Sequence, residues 1–297
     1  MSCYHPIQAF RTRDGVCFSE LSRFDIVGRI ELPCGQCIGC RMRRASDWEL
    51  RVMHEASLWE ENCFVTLTYG RDQLPPDRSL CHDDFQRFMK RLRKYFRPRV
   101  VRFYMCGEYG PLNLRPHYHA CLFNVDFRDG RPIGKSGAGA VFCDSPLLSK
   151  LWTHGRVSVQ PLNSRTASYC ARYIMKKALG VNSESAYTGV DSDGVVTRRK
   201  PEYAAMSLRP GVGAGWLERY RRDCTAGDFV VVDGVQRRVP RYYDKLNRRC
   251  DEVDFDALEY RRVVRARLSA SDNTDERRAV REKVHHARAR NLKRELE

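Results

Sequence analysis

No apolar run in the sequence approaches the roughly 20 residues that a bilayer-spanning helix needs, and the N-terminus lacks the apolar core of a secretory signal. An intracellular protein is expected on both counts. The phosphate-cradling pattern G-x-x-x-x-G-K-[ST] is absent as well, so no nucleotide-driven motor is encoded. Negative charge is scarce: 37 Asp and Glu stand against 53 Lys and Arg, a net charge of +16. That excess suits a polyanionic partner, because each cation that meets a phosphate releases condensed counterions. The 13 cysteines are odd in number, and in a reducing compartment they are expected as thiols or metal ligands, not disulfides. At 297 residues the chain is long enough to bury a core and carry an appendage.

What is present centres on Cys106-Gly107-Glu108-Tyr109-Gly110, a short break, and Arg115-Pro116-His117-Tyr118-His119-Ala120-Cys121-Leu122-Phe123. Histidines at i and i+2 within an aromatic and apolar run belong on a strand, where they share one face about 7 Å apart. Glu108 closes the preceding apolar run from Val100 to Met105, so a hairpin brings it beside His117 and His119. The expectation is a His/His/Glu site for a divalent cation with open coordination positions. Packing partners in a sheet are the alternative reading of the same histidines.

Nearer the N-terminus, Pro33-Cys34-Gly35-Gln36-Cys37-Ile38-Gly39-Cys40-Arg41 is a C-x2-C-x2-C knuckle whose glycines let thiolates converge on one ion. The fourth ligand is missing locally; Cys3, Cys63 and His54 are candidates, with Cys3 preferred. Structural zinc and plain buried thiols both remain open, while an iron–sulfur cluster is disfavoured by the lack of a C-x3-C-P continuation. Residues 43–61 read as an amphipathic helix. Its His54-Glu55 pair does not make a zinc deaminase, because the order and spacing relative to the knuckle are wrong.

Cys63 to Tyr69 reads as a strand, Phe85 to Phe96 as a strongly basic helix after the acidic first turn His82-Asp83-Asp84, and 99–107 and 116–125 as paired strands. Strand, helix, strand, strand matches a split βαβ arrangement around an antiparallel sheet. A Gly- and Asp-rich loop is expected over 126–140 and a strand over 152–160. A helix follows from Ser168 to Leu179, on which Tyr169, Tyr173 and Lys176 fall within an arc of about 60°, with Lys177 at its margin. A phenol needs the help of a lysine and a polarised phosphate to attack as phenolate. Amphipathic packing with snorkelling lysines is the competing account. Residues 181–200 read as a loop, 229–239 as a hairpin around Asp233-Gly234, and 255–297 as one or two charged, arginine-rich helices. The expected class is α+β, a central antiparallel sheet with flanking helices, divided into 1–62 (knuckle and amphipathic helix), 63–222 (catalytic domain) and 223–297 (hairpin and basic arm).

The strand Phe64 to Tyr69, then Gly107-Glu108-Tyr109-Gly110 with His117-Tyr118-His119, then Tyr169 and Tyr173 with Lys176, resembles the order of motifs in the HUH superfamily of rolling-circle replication initiators. More narrowly, the Cys34–Cys40 knuckle, the helix with Met53-His54-Glu55, Arg115-Pro116-His117-Tyr118-His119 and Arg172-Tyr173-Ile174-Met175-Lys176-Lys177 resemble replication initiation proteins of gokushoviruses, small single-stranded DNA phages. The likeness covers roughly residues 1–220; the arm beyond has no matching motif. The middle position of the HUH motif, usually a bulky hydrophobe, is Tyr118 here, on the face away from the metal.

The resemblance implies Mg2+ or Mn2+ on His117, His119 and Glu108. Tyr173 would attack a single-stranded origin to leave a 5′-phosphotyrosine and a free 3′-OH, with Tyr169 as second nucleophile and Lys176 and Lys177 in support. It implies phage replicative-form DNA, a host helicase and a host polymerase as partners in the cytoplasm of a bacterial host. A plasmid-type relaxase or single-strand transposase, and a non-catalytic single-strand binder, are the rival readings.

Overall fold

The computed structural model describes residues 3–20, 25–110, 113–135, 139–172, 183–190, 194, 196–250 and 253–290. They divide into two compact units, one made of Met1–Arg44 with Asp254–Lys293 and the other built on Ala45–Val253.

The first unit carries a three-stranded antiparallel sheet of β1 (Ile7–Thr12), β2 (Gly15–Cys17) and β3 (Ile26–Leu32), in the order β2-β1-β3. The sequence shows little periodicity here because these strands are short and mostly solvated, with Ala9 the one buried residue of β1. The first turns of α1 (Ile38–Ala56) follow the knuckle. The charged helices expected at the C-terminal end are present among the described residues. They are labelled below after the elements that precede them in the chain.

The second unit is organised on a seven-stranded sheet. Its strands are β4 (Asn62–Tyr69), β5 (Arg102–Tyr109), β6 (Pro116–Phe123), β7 (Arg131–Lys135), β8 (Val141–Asp144), β9 (Gly155–Pro161) and β12 (Tyr203–Met206), in the order β12-β5-β6-β4-β9-β8-β7. Every pairing is antiparallel. The helix α2 (His82–Tyr95) connects β4 to β5, and β6 lies between them, antiparallel to both, so β4 and β5 run the same way. That is the split βαβ arrangement expected from the order of elements.

Each face of this sheet has its own core. Val65, Leu67, Tyr69, Met105, Tyr118, Ala120 and Leu122 pack with Phe85, Phe88, Met89 and Leu92 of α2 and with Leu148 and Leu151 of α3 (Pro146–Leu151). On the other face Phe64, Tyr104, Cys106, Cys121 and Phe123 pack with Val52 and Ala56 of α1 and with Ala167, Cys170 and Ala171 of α4 (Ser164–Arg172). The alternation of strand side chains produces this two-faced burial directly.

Several elements differ from expectation. The Gly- and Asp-rich stretch holds the β7–β8 hairpin, and Trp152 caps α3 before the strand begins at Gly155. Within 181–200, the described residues form α5 (Ser183–Tyr187) and the ribbon of β10 (Thr188–Val190) with β11 (Val196–Arg198). β12 has no signal in the sequence because two of its four residues are alanines; it is a strand because β5 offers it an edge.

The Gly-rich turn before α6 (Ala214–Gly227) is clamped to α1. Glu55, 3% exposed at its side chain, accepts from Arg102 Nε at 2.7 Å and from the Gly213 amide at 2.7 Å. Arg102 also donates to the Pro210 carbonyl at 2.7 Å, and Arg51 donates to that of Val212 at 3.0 Å while its guanidinium lies between the rings of Trp48 and Tyr242. His54 stacks on Trp216 at 3.5 Å and pairs with the Tyr243 hydroxyl through Nδ1 at 2.9 Å. Tyr243 belongs to α7 (Arg241–Asn247), which follows the hairpin of β13 (Phe229–Val232) and β14 (Val235–Arg238) expected around Asp233-Gly234. The His54-Glu55 pair is thus a packing and clamping device.

Returning to the first unit, α8 (Phe255–Leu268) is N-capped by Asp254, whose carboxylate accepts from the Ala257 amide at 2.9 Å. In α9 (Asp275–Arg290), Arg278 pairs with Glu31 of β3.

Candidate metal centre and its tyrosine helix

β6 presents His117 and His119 to the α4 side of the sheet because successive strand residues alternate; Tyr118 points the other way, into the α2 core. In register, Glu108 of β5 lies directly opposite His117, and Cys106 opposite His119. The Glu108 side chain is fully buried, and its Oε1 meets His117 Nε2 at 2.6 Å and His119 Nε2 at 3.1 Å. Burial pushes this carboxyl up, but the hydrogen bonds and charge of the two imidazoles outweigh burial and hold it down at about 2. It is a carboxylate at any pH the protein meets.

The rings are oriented from behind, by contacts the sequence alone did not flag. His117 Nδ1 lies 3.0 Å from the Arg115 carbonyl and His119 Nδ1 lies 2.9 Å from Thr66 Oγ1. A carbonyl only accepts, so Nδ1 of His117 carries the hydrogen, and Nε2 of a neutral ring turns a lone pair toward the Glu108 carboxylate. A proton or a cation must lie between them. All three ligand atoms fall within 4.8 Å of one another, and cis donors about 2.1 Å from an octahedral ion stand about 3 Å apart, so the residues fit a small divalent cation. The only sequence signal for Thr66 is its place on β4, where it pairs in register with His119.

α4 crosses this face of the sheet. Tyr169 is 6% exposed and sets its ring edge-on to His119, with centroids 5.0 Å apart, and to Phe64 at 6.2 Å. Cys170, one residue on, lies 3.5 Å from Cys106 and 3.6 Å from the His119 carbonyl, so small thiols let the helix sit close to the strands. Tyr173, Lys176 and Lys177 lie outside the described residues.

The second cluster is the knuckle. Sγ of Cys3, Cys34, Cys37 and Cys40 all fall within 4.8 Å of one another, so Cys3 is the fourth member, ahead of Cys63 and His54, which are buried in the other unit. Gly35, at φ 75°, makes the tight turn between the first two thiols of the knuckle. Backbone amides point at sulfur: Cys34 N donates to Cys3 at 3.2 Å, Cys37 N to Cys34 at 3.3 Å, and Tyr4 N to Cys37 at 3.4 Å. These bonds favour thiolates, the form that binds metal. Four thiolates at this spacing are compatible with a tetrahedral ion.

Comparison with known proteins agrees with this anatomy. A family model for replication-associated proteins of the ORF2 type matches residues 62–178, from β4 through α4. The replication-associated protein VP4 of Bdellovibrio phage phiMH2K is 30% identical over 270 residues, spanning 86% of this chain and 81% of its own length. This chain belongs to the replication-associated proteins of gokushoviruses. The replication-associated protein ORF2 of Spiroplasma virus 4 is 30% identical over 287 residues (88% of this chain, 86% of its own), and ORF4 of Chlamydia phage 1 is 30% identical over 267 residues (84% and 64%). No solved structure matches the chain. Within this replication-associated family, the matched segment carries both the Glu/His/His cluster and Tyr169.

Proposed function

We propose that this replication-associated protein is an HUH-type endonuclease that nicks and rejoins single-stranded origin DNA through a 5′-phosphotyrosine, initiating rolling-circle replication of a small phage genome. The observation that carries the reading is the packing of Tyr169 against His119, within a cluster whose two Nε2 atoms converge on a buried carboxylate. Glu108, His117 and His119 would hold Mg2+ or Mn2+, which when bound supplies polarisation of the scissile phosphate and stabilisation of the leaving oxygen.

Tyr173, one helical turn beyond Tyr169, is the first nucleophile and Tyr169 the second. As the phenolic oxygen bonds to phosphorus, the phenolic proton departs and the P–O3′ bond breaks. The 3′ oxygen leaves as a hydroxyl after taking up a proton, and the 5′ end stays on tyrosine. Lys176 and Lys177 favour the phenolate, whose unperturbed pKa is near 10. The exchange conserves the phosphodiester energy, so the same step in reverse rejoins strands. Host helicase and polymerase act on the nicked replicative form, consistent with a sequence that holds no P-loop.

The test is a labelled single-stranded origin oligonucleotide scored for a covalent protein–DNA species. The adduct should vanish when Tyr169 and Tyr173 are both replaced by Phe; adduct surviving in the double variant defeats the mechanism. Metal-dependent nicking unchanged in His117→Ala with His119→Ala defeats the metal assignment. Tight binding without adduct under Mg2+ or Mn2+ would favour a non-catalytic binder.

The four-cysteine cluster is read as structural zinc. Four Zn–S bonds of about 2.3 Å place sulfurs about 3.8 Å apart, inside the observed limit of 4.8 Å. The unit it belongs to has few apolar residues buried among those described (Cys3, Ala9, Phe255 and Leu258), the situation in which small folds use a metal staple. Elemental analysis should find about one zinc per chain; its absence removes the assignment.

A further inference from the structure

α2 has two opposed faces. Phe85, Phe88, Met89 and Leu92 are buried against the Tyr118 side of the sheet. On its outer side Arg87, Lys90 and Lys94, with Arg97 just past the helix end, recur at spacings of three, four and three residues, and all four are exposed. At 100° and 1.5 Å per residue, the three helical cations fall within an arc of about 60° and the four together extend about 15 Å.

Ordinary solvation of a helix does not account for this row. Arg87 shares Asp84 at 3.3 Å, but Lys90, Lys94 and Arg97 have no acidic partner among the described residues. The arginine-rich α9 behaves differently: Arg277 and Arg281 pair with Asp272, and Arg278 pairs with Glu31. The helix dipole rewards cations in the last turn, such as Arg93 and Lys94, and does not explain Arg87 or Lys90. Nor is the row a stacking platform for single strands, which needs several exposed aromatics; α2 exposes only Tyr95. A straight row of unneutralised cations fits the regular phosphates of a duplex. The seven-stranded sheet separates it from the Glu/His/His cluster, because α2 packs on the Tyr118 face and the histidines on the other.

We propose that Arg87, Lys90, Lys94 and Arg97 grip the phosphate backbone of duplex DNA flanking the processed strand, on the sheet face opposite the metal centre. The proposal rests on DNA as the ligand of this replication-associated family and not on the nicking chemistry. The cations act by charge, so the contact is sequence-independent and salt-sensitive.

The test compares the intact wild-type protein with Lys90→Gln/Lys94→Gln/Arg97→Gln in equilibrium binding without added Mg2+ or Mn2+, so that cleavage does not enter. The probes are a duplex of about 25 base pairs and a single strand of about 12 nucleotides, titrated between about 0.05 and 0.3 M salt, where each lost phosphate contact lowers the log–log slope by about 0.9. The expected result is a duplex slope reduced by about 2.7 and a roughly hundredfold weaker duplex complex at about 0.15 M salt, with the single-strand slope changed by less than about 1. The charge-conserving Lys90→Arg/Lys94→Arg/Arg97→Lys variant should bind duplex as wild type does, which separates charge from folding. An unchanged duplex slope in the glutamine variant overturns the proposal, and so does an equal loss on the short single strand. If wild type binds duplex in this way yet forms no tyrosine adduct, the nicking reading fails while this one stands.

Discussion

Replacing His54 by Phe should remove a specific pH dependence of stability. The imidazole is 6% exposed, stacked on Trp216 and bonded to the Tyr243 hydroxyl, and burial alone pushes its pKa down from 6.5 to about 4. Between those two values the unfolded chain binds a proton that the folded chain refuses. Stability therefore falls as pH falls through this window, and the loss is complete below about 4. At pH 5 the linkage expression gives a loss of about 2 kcal/mol relative to neutral pH, and a full shift of this size is worth about 3 kcal/mol. Phe keeps the ring on Trp216 and gives up one hydrogen bond, costing about 1 kcal/mol at every pH. Denaturant unfolding of both proteins at pH 7.5 and 5.0 isolates the effect, since all other titrating groups are shared. Wild type should lose about 2 kcal/mol more than His54→Phe on acidification. Parallel losses, within about 0.5 kcal/mol, would refute the assignment of a buried neutral imidazole.

Other perturbations probe the remaining sites. Thr66→Val removes the partner of His119 Nδ1 and should weaken Mn2+ binding at the Glu/His/His cluster by about 10- to 100-fold in calorimetric titration, whereas unchanged affinity would mean Thr66 orients nothing. Glu108→Gln should cut metal-dependent adduct formation at least about 100-fold by removing the one anionic donor; full activity at ordinary metal concentrations would contradict a carboxylate ligand. Glu55→Ala leaves the Arg102 guanidinium buried without its counter-charge and should destabilise the protein by about 3–5 kcal/mol in thermal or denaturant melts, and a cost under about 1 kcal/mol would show the clamp to be relaxed. Chelation or Cys3→Ser should release zinc and speed hydrogen exchange of the β1–β3 amides, an effect that would be missing if the thiols were merely buried.

The parts of the site that lie close in sequence were legible there. His117 and His119 share a strand face by the period of two, Glu108 closes the neighbouring strand, and the pairing that joins them is a local hairpin. Cys3 was reachable by the logic that three knuckle thiols need a fourth. What escaped notice depends on distant partners. Glu55 and Arg51 read as polar residues of an amphipathic helix, yet they are buried because the Gly213 amide and the Val212 carbonyl, about 160 positions away, satisfy them. β12 is a strand only because β5 has a free edge, and the strands of residues 7–32 bury too little of either face to leave an alternating signature.

Tyr118 gives the histidine strand a property of its own. Its hydroxyl accepts from the Cys81 amide at 2.8 Å and donates to the Cys81 carbonyl at 2.7 Å, and its ring fills the space that a side chain at Gly107 would need, where an added Cβ would come within 3.2 Å of it. A slip of β6 by one residue would turn both histidines into the α2 core and bring this phenol to the metal face. The residue between the ligands therefore works as a key cut for one position of the strand. Because the strand is indexed from behind, the chemistry on its front can drift, trading one donor set or one metal for another, without the sheet losing its place.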